Sequence, residues 1–175
     1  MRCYYIFLFF IFFCCQSKNI ESVEAKPLEI TNEELFNYIE YCNDRFNFCF
    51  SYPSHFSAQP SSANGDGKTF INKLDDAKIV AFGELDYDNA GLEPHLHFIQ
   101  NQIKIQDSAR VPYGYNFIGF GKNDGKIYHE RILIKEKEDA NSKVNVIYSI
   151  QLSYPQKHRK KYTQLWANLM GNLKI

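Results

Sequence analysis

Phe46, Phe48, Phe50 and Tyr52 alternate with Asn47, Cys49 and Ser51, and Pro53 follows directly. A period of two belongs to an extended chain, whose successive side chains point to opposite sides. The segment is therefore read as a strand with one aromatic face, ended by a proline that has no N–H to give to a ladder. This pattern commits the middle of the chain to a sheet.

The flanking sequence supplies the other elements. Residues 54–68 hold two serine clusters, Pro60 and Asn64-Gly65-Asp66-Gly67, which is turn chemistry with glycine available for positive φ. Short strands are expected over 68–72 and 78–85, joined by a turn at Leu74-Asp75-Asp76. They would make an antiparallel pair. After an acidic loop over 85–89, Leu92, Leu96, Ile99 and Ile103 recur at helical spacing and predict a helix over 91–102. Strand-like runs over 115–121 and 126–135 flank Lys122-Asn123-Asp124-Gly125, and Asp-Gly between two such runs is a strong hairpin signal. Residues 136–143 read as a charged turn, and 144–154 as a long strand stopped by Pro155.

Tyr162, Leu165, Trp166, Leu169, Met170 and Leu173 then return every three or four residues, as in an amphipathic closing helix. At the other end, Thr31 to Glu34 has the form of a capping box for a short helix ending by about Tyr41. An extended entry strand over 36–42 fits the same residues, and the sequence leaves both open. The expected fold class is α+β, a central, mainly antiparallel sheet flanked by helices.

Residues 4–15 are Tyr-Tyr-Ile-Phe-Leu-Phe-Phe-Ile-Phe-Phe-Cys-Cys, preceded by Arg2. About ten apolar residues after a positive charge match a signal peptide and fall short of the roughly 20 needed to span a bilayer. The run ends in Cys14-Cys15 and a polar Gln-Ser-Lys-Asn, which resembles the end of a bacterial lipoprotein signal. Cys15 is the expected lipidation site, because Cys14 is small enough to precede it whereas Phe13 would precede Cys14. The reading is a signal peptide at 1–14, a lipidated tether at 15–30 and one globular domain at 31–175. A plain cleavable signal and an uncleaved apolar anchor are the alternatives.

The chain carries 20 Lys plus Arg against 20 Asp plus Glu, so the net positive charge that favours nucleic acid is absent and no nucleic-acid partner is expected. Of five cysteines, Cys42 and Cys49 are the pair left in the exported domain. In an oxidising compartment they read as a disulfide across a hairpin closed by Asn43-Asp44-Arg45, with free thiols as the alternative. No second Cys or His pair at ligand spacing accompanies them, and no metal or cofactor is expected.

Other motifs are weak. Asn64-Gly65-Asp66-Gly67-Lys68 lacks the P-loop spacing, and Gly119-Phe-Gly121 lacks the third glycine of a dinucleotide fingerprint. The latter glycines read as a bulge or a close approach. His95 and His97 fall on opposing sides of a helix and cannot share a metal. Asp86, Asp88 and Asn89 offer oxygen atoms without an EF-hand register. No nucleophile elbow surrounds any serine, and no catalytic residue is assigned. Lys157-His158-Arg159-Lys160-Lys161 opens the last helix, where positive charge opposes the dipole unless something acidic compensates. Lys157, Arg159, Lys160 and Lys161 are candidates for contact with anionic lipid or an acidic partner.

Residues 48–53, the loop from Gln59-Pro60 to Gly67, the hairpin 119–128 and the closing Leu152-Ser-Tyr-Pro155 with its helix together resemble a group of exported bacterial proteins with a PsbP/Mog1-like domain. The resemblance covers about residues 44–173. It implies an α/β/α sandwich around an antiparallel sheet, and implies little about activity, since the fold includes photosystem accessory subunits, nuclear-import cofactors and envelope lipoproteins. Two functions are carried forward. The first is a non-enzymatic, membrane-anchored envelope lipoprotein, held at the outer membrane through its lipid and binding an unknown protein or envelope component. The second is an exported hydrolase or metal-dependent enzyme with dispersed residues such as His95 or His97 with Asp86 and Asp88.

Overall fold

The computed structural model describes residues 37–139 and 142–175. The expected signal peptide, lipidation site Cys15, tether and capping box at Thr31 lie outside the described residues. Two strands open the described chain, β1 Tyr38–Asn43 and β2 Phe48–Pro53, paired antiparallel as a separate two-stranded sheet. Of the two readings left open for this region, the strand holds over Tyr38–Asn43.

The remaining strands are β3 Ser57–Ala58, β4 Gly67–Asn72, β5 Ala77–Leu85, β6 Ile103–Val111, β7 Gly114–Gly121, β8 Ile127–Asp139 and β9 Ser142–Tyr154. They form one antiparallel sheet in the order β3-β4-β5-β9-β8-β7-β6. Helix α1, Glu93–Gln102, precedes β6, and α2, Arg159–Gly171, closes the fold after a 3₁₀ turn at Gln156–His158.

Alternation along β8 shows how the layers stack. Ile127 and Leu133 join the larger core, with the β1–β2 rings and with Tyr162, Leu165 and Leu169 of α2. Ile132 points the other way and joins Ile99 of α1, Ile103 and Phe117. The large sheet is therefore the middle layer, with α2 and the small hairpin on one face and α1 on the other, the α+β layering expected from the sequence and the sandwich that the resemblance implied. Phe46, Phe48, Phe50 and Tyr52 are all buried, as the alternation requires, although Phe46 sits in the turn before β2. The rings of Phe48, Phe50 and Tyr52 meet Tyr41, Phe70 and Tyr148 mostly edge to face, a geometry worth about 0.5–1.5 kcal/mol per pair beyond area burial.

Two sequence expectations are corrected. Residues 103–111 form a strand that hydrophobic periodicity did not reveal, so the meander after α1 has four strands, not three. The expected turn over 136–143 is mostly strand: β8 continues to Asp139, and Glu136 and Glu138 face Asn145 and Lys143 across the ladder. The Gly119 reading holds in both its forms. The register shifts between Ile105 and Asp107 opposite Gly119, and a Cβ on Gly119 would lie 2.5 Å from Lys104 O.

Candidate functional site

The first expected site is the cysteine pair. Cys42 and Cys49 are direct cross-strand partners and are bonded, with Cα atoms 4.1 Å apart. The hairpin turn they close runs over residues 44–47, with Asn47 at positive φ. Cys42 is exposed and Cys49 half-buried. The far edge of β2 is not free either: Cys49 and Lys174 exchange two backbone hydrogen bonds, each 2.9 Å long, and Lys174 Nζ donates to Glu40 at 2.7 Å.

At the start of α2, the acidic compensation that its basic run demands comes from Asp75 in the β4–β5 turn. Its carboxylate accepts from Lys161 Nζ at 3.0 Å and from Tyr162 Oη at 2.8 Å, with His158 Nε2 3.7 Å away. The Lys161 bond, then the Tyr162 bond, holds the Asp75 carboxyl below its ordinary range against the opposing effect of burial. Asn72 completes the cluster by donating to Tyr162 Oη and accepting from Leu74 N–H. All four basic candidates are exposed, and of them Lys161 is engaged by Asp75.

The histidines and aspartates proposed for a dispersed enzyme site do not converge. Asp86 is buried and spends both carboxylate oxygens on the N–H groups of Ala90 and Gly91, which shapes the loop into α1. Asp88 and His97 are exposed. His95 turns back to the sheet, its Nε2 2.7 Å from Glu84 Oε1.

Beneath α1 lies a polar group that the sequence did not announce. Glu130 is buried on β8, accepting 3.0 Å bonds from Ser149 Oγ and Gln151 Nε2 of β9, its cross-strand neighbours. Burial pushes its carboxyl up, with the Gln151 and Ser149 bonds acting the other way. The signal available was a run of polar residues, His129, Glu130 and Arg131, set between the apolar ends of the strand. Beside this cluster, a cleft of about 350 Å³ is floored by Val80 and Phe82 and bounded by the loop from Pro60 to Asp66. Glu84 both lines the cleft and meets His95. Gly65 turns that loop at φ 73°, and Arg45 anchors it through Asp66 and Asn64 O. The Asn-Gly-Asp-Gly segment is thus a braced turn, as its composition implied.

On the opposite face, His129 packs between the rings of Tyr154 and Trp166, and its Nε2 lies 2.7 Å from Tyr154 Oη. Burial, and then the nearby Arg159 charge, lowers the His129 pKa to about 4.

No family model matches the sequence, and no curated protein matches it. Solved structures of similar fold do. A solution structure of cyanobacterial PsbP from Synechocystis is 10% identical, with a TM-score of 0.47, covering 79% of this chain and 92% of its own. The Saccharomyces cerevisiae Ran-binding protein Mog1p is 9% identical at a TM-score of 0.46, covering 79% of this chain and 95% of its own.

Proposed function

We propose that this chain is a bacterial envelope lipoprotein, exported by residues 1–14, acylated at Cys15 and carrying at 31–175 one non-enzymatic domain that binds a protein or envelope component. The observation that carries the reading is the apolar run behind Arg2 that ends at Cys14-Cys15 and gives way at once to polar sequence. Several acyl chains on Cys15 would make the anchorage stable where one would not. The absence of aspartate after Cys15, where Gln16 stands, favours the outer membrane in a two-membrane cell. The polar groups of the domain support an accessory role: Asp75, Asp86 and Glu130 are each engaged in holding one element to another.

Intact mass of the protein from membranes of its own host tests this. Acyl mass on a chain beginning at Cys15, lost in Cys15→Ser, is the expected result; an unmodified mass overturns the anchor. Crosslinking in intact cells should recover one specific partner, and repeated failure to do so argues against a binding role. One observation favours the alternative enzyme: Glu84 joins His95 to an open cleft. Ester or amide hydrolysis abolished by His95→Ala would establish that reading instead.

A further inference from the structure

Glu40 and Cys42 stand two residues apart on β1, and strand alternation puts both side chains on one face. Register places Cys49 directly opposite Cys42 on that face. A carboxylate oxygen of Glu40 and the two sulfurs lie within 4.8 Å of one another, a group of three metal-donor side chains. In the oxidised protein the sulfurs are bound to each other and cannot serve as ligands.

We propose that reduction of the Cys42–Cys49 disulfide converts this face into a Zn²⁺ site with Glu40, Cys42 and Cys49 as ligands and a fourth position open to water. A dithiol reductant supplies two electrons and two protons. The S–S bond breaks, two thiols form, and the reductant leaves as its own disulfide. Zn²⁺ then displaces one proton from each thiol and gains two Zn–S bonds, while the Glu40 carboxylate supplies the Zn–O bond. Two thiolates and a carboxylate suit the borderline softness of zinc, and tetrahedral Zn–S bonds of about 2.3 Å need sulfurs about 3.8 Å apart. Side chains directly opposed across a hairpin reach that separation by rotation about Cα–Cβ, with the backbone ladder kept.

Lys174 sets the competition. Its ammonium occupies Glu40 at 2.7 Å, and its backbone is bonded to Cys49 on both sides. Turning Glu40 to the metal releases the Lys174 side chain, so removing that lysine should favour the metal.

The test uses the full chain, reduced under argon and titrated with Co²⁺ and then Zn²⁺. Because Cys3, Cys14 and Cys15 are also present, a Cys42→Ser/Cys49→Ser double variant serves as the blank. The reduced protein should show thiolate-to-cobalt absorption at one equivalent beyond the blank, displaced by Zn²⁺, and the oxidised protein should match the blank. Loss of an outer-shell partner alone costs about 10- to 100-fold in affinity, so Glu40→Gln should weaken binding by at least that much. Lys174→Gln, which breaks the same ion pair, should not weaken it. Equal stoichiometry in protein and blank, or unchanged affinity in Glu40→Gln, overturns the proposal.

Discussion

The Tyr162 hydroxyl donates to Asp75 Oδ2 at 2.8 Å across 87 positions of sequence, and the same carboxylate takes Lys161 Nζ. The β4–β5 turn thereby places one of its two carboxylates at the helix end that most needs it.

Asp75→Asn should lower stability by about 2 kcal/mol at neutral pH, the range for hydrogen bonds to a charged group. The Asp75 carboxyl is depressed in the fold, so its contribution is present above the unfolded pKa near 4 and is lost as pH falls below that. Urea midpoints from pH 7 to pH 2 should show the variant losing less on the acid limb than the parent.

His129 acts in a different window. A folded pKa of about 4 against an ordinary value of 6.5 means that the unfolded chain binds the proton first. Stability should therefore fall as pH drops from about 6.5 to about 4, by on the order of 3 kcal/mol in total. His129→Gln keeps a hydrogen-bond partner for Tyr154 and removes the titration. Its urea midpoint should be flatter through that interval, and an unchanged slope would rule out His129 as the cause.

Glu130 carries the opposite sign. Its carboxyl is raised by burial, so the stability of the neutral form is present at low pH and is lost as pH rises through the folded value. Glu130→Gln should gain on the order of 1 kcal/mol at pH 8 and less at pH 4. Guanidinium melts at the two pH values measure the difference, and equal effects at both would exclude a buried charge.

Reducing the hairpin disulfide in metal-free buffer should cost about 2 kcal/mol, the chain-entropy value for so short a loop. Differential scanning calorimetry of the parent and the Cys42→Ser/Cys49→Ser variant should agree on the loss once the parent is reduced.

Where burial wrote the pattern, the fold was readable. The aromatic alternation of β2 and the three- and four-residue spacing of α2 both survive because each element has one face in the core. Strand β6 left no such trace: between Gln106 and Arg110 every side chain is exposed, and the strand exists through its ladder to β7. The charged end of β8 was misread for the same reason, since Glu138 and Lys143 are paired by register and not by burial. Site geometry was the least legible. Asp86 and Asp88 were grouped with the histidines by nearness in sequence, yet His95 meets Glu84 on the preceding strand. Glu130, Ser149 and Gln151 come together only when β8 lies against β9.

The small hairpin also has a mechanical consequence. Among the described residues β1 is paired on one side alone, so tension entering at Tyr38 peels it from β2 one residue pair at a time, beginning at Tyr38 and Pro53. Four pairs later the peeling front meets Cys42 and Cys49, where a covalent bond takes the load. From there the pull passes into β2, gripped by Phe48 and Phe50 in the core and by Lys174 along its other edge. A pull on the amino-terminal end of β1 thus strips a short strand, drawing Tyr38 and Tyr41 off the core as it goes, and then meets a fixed stop.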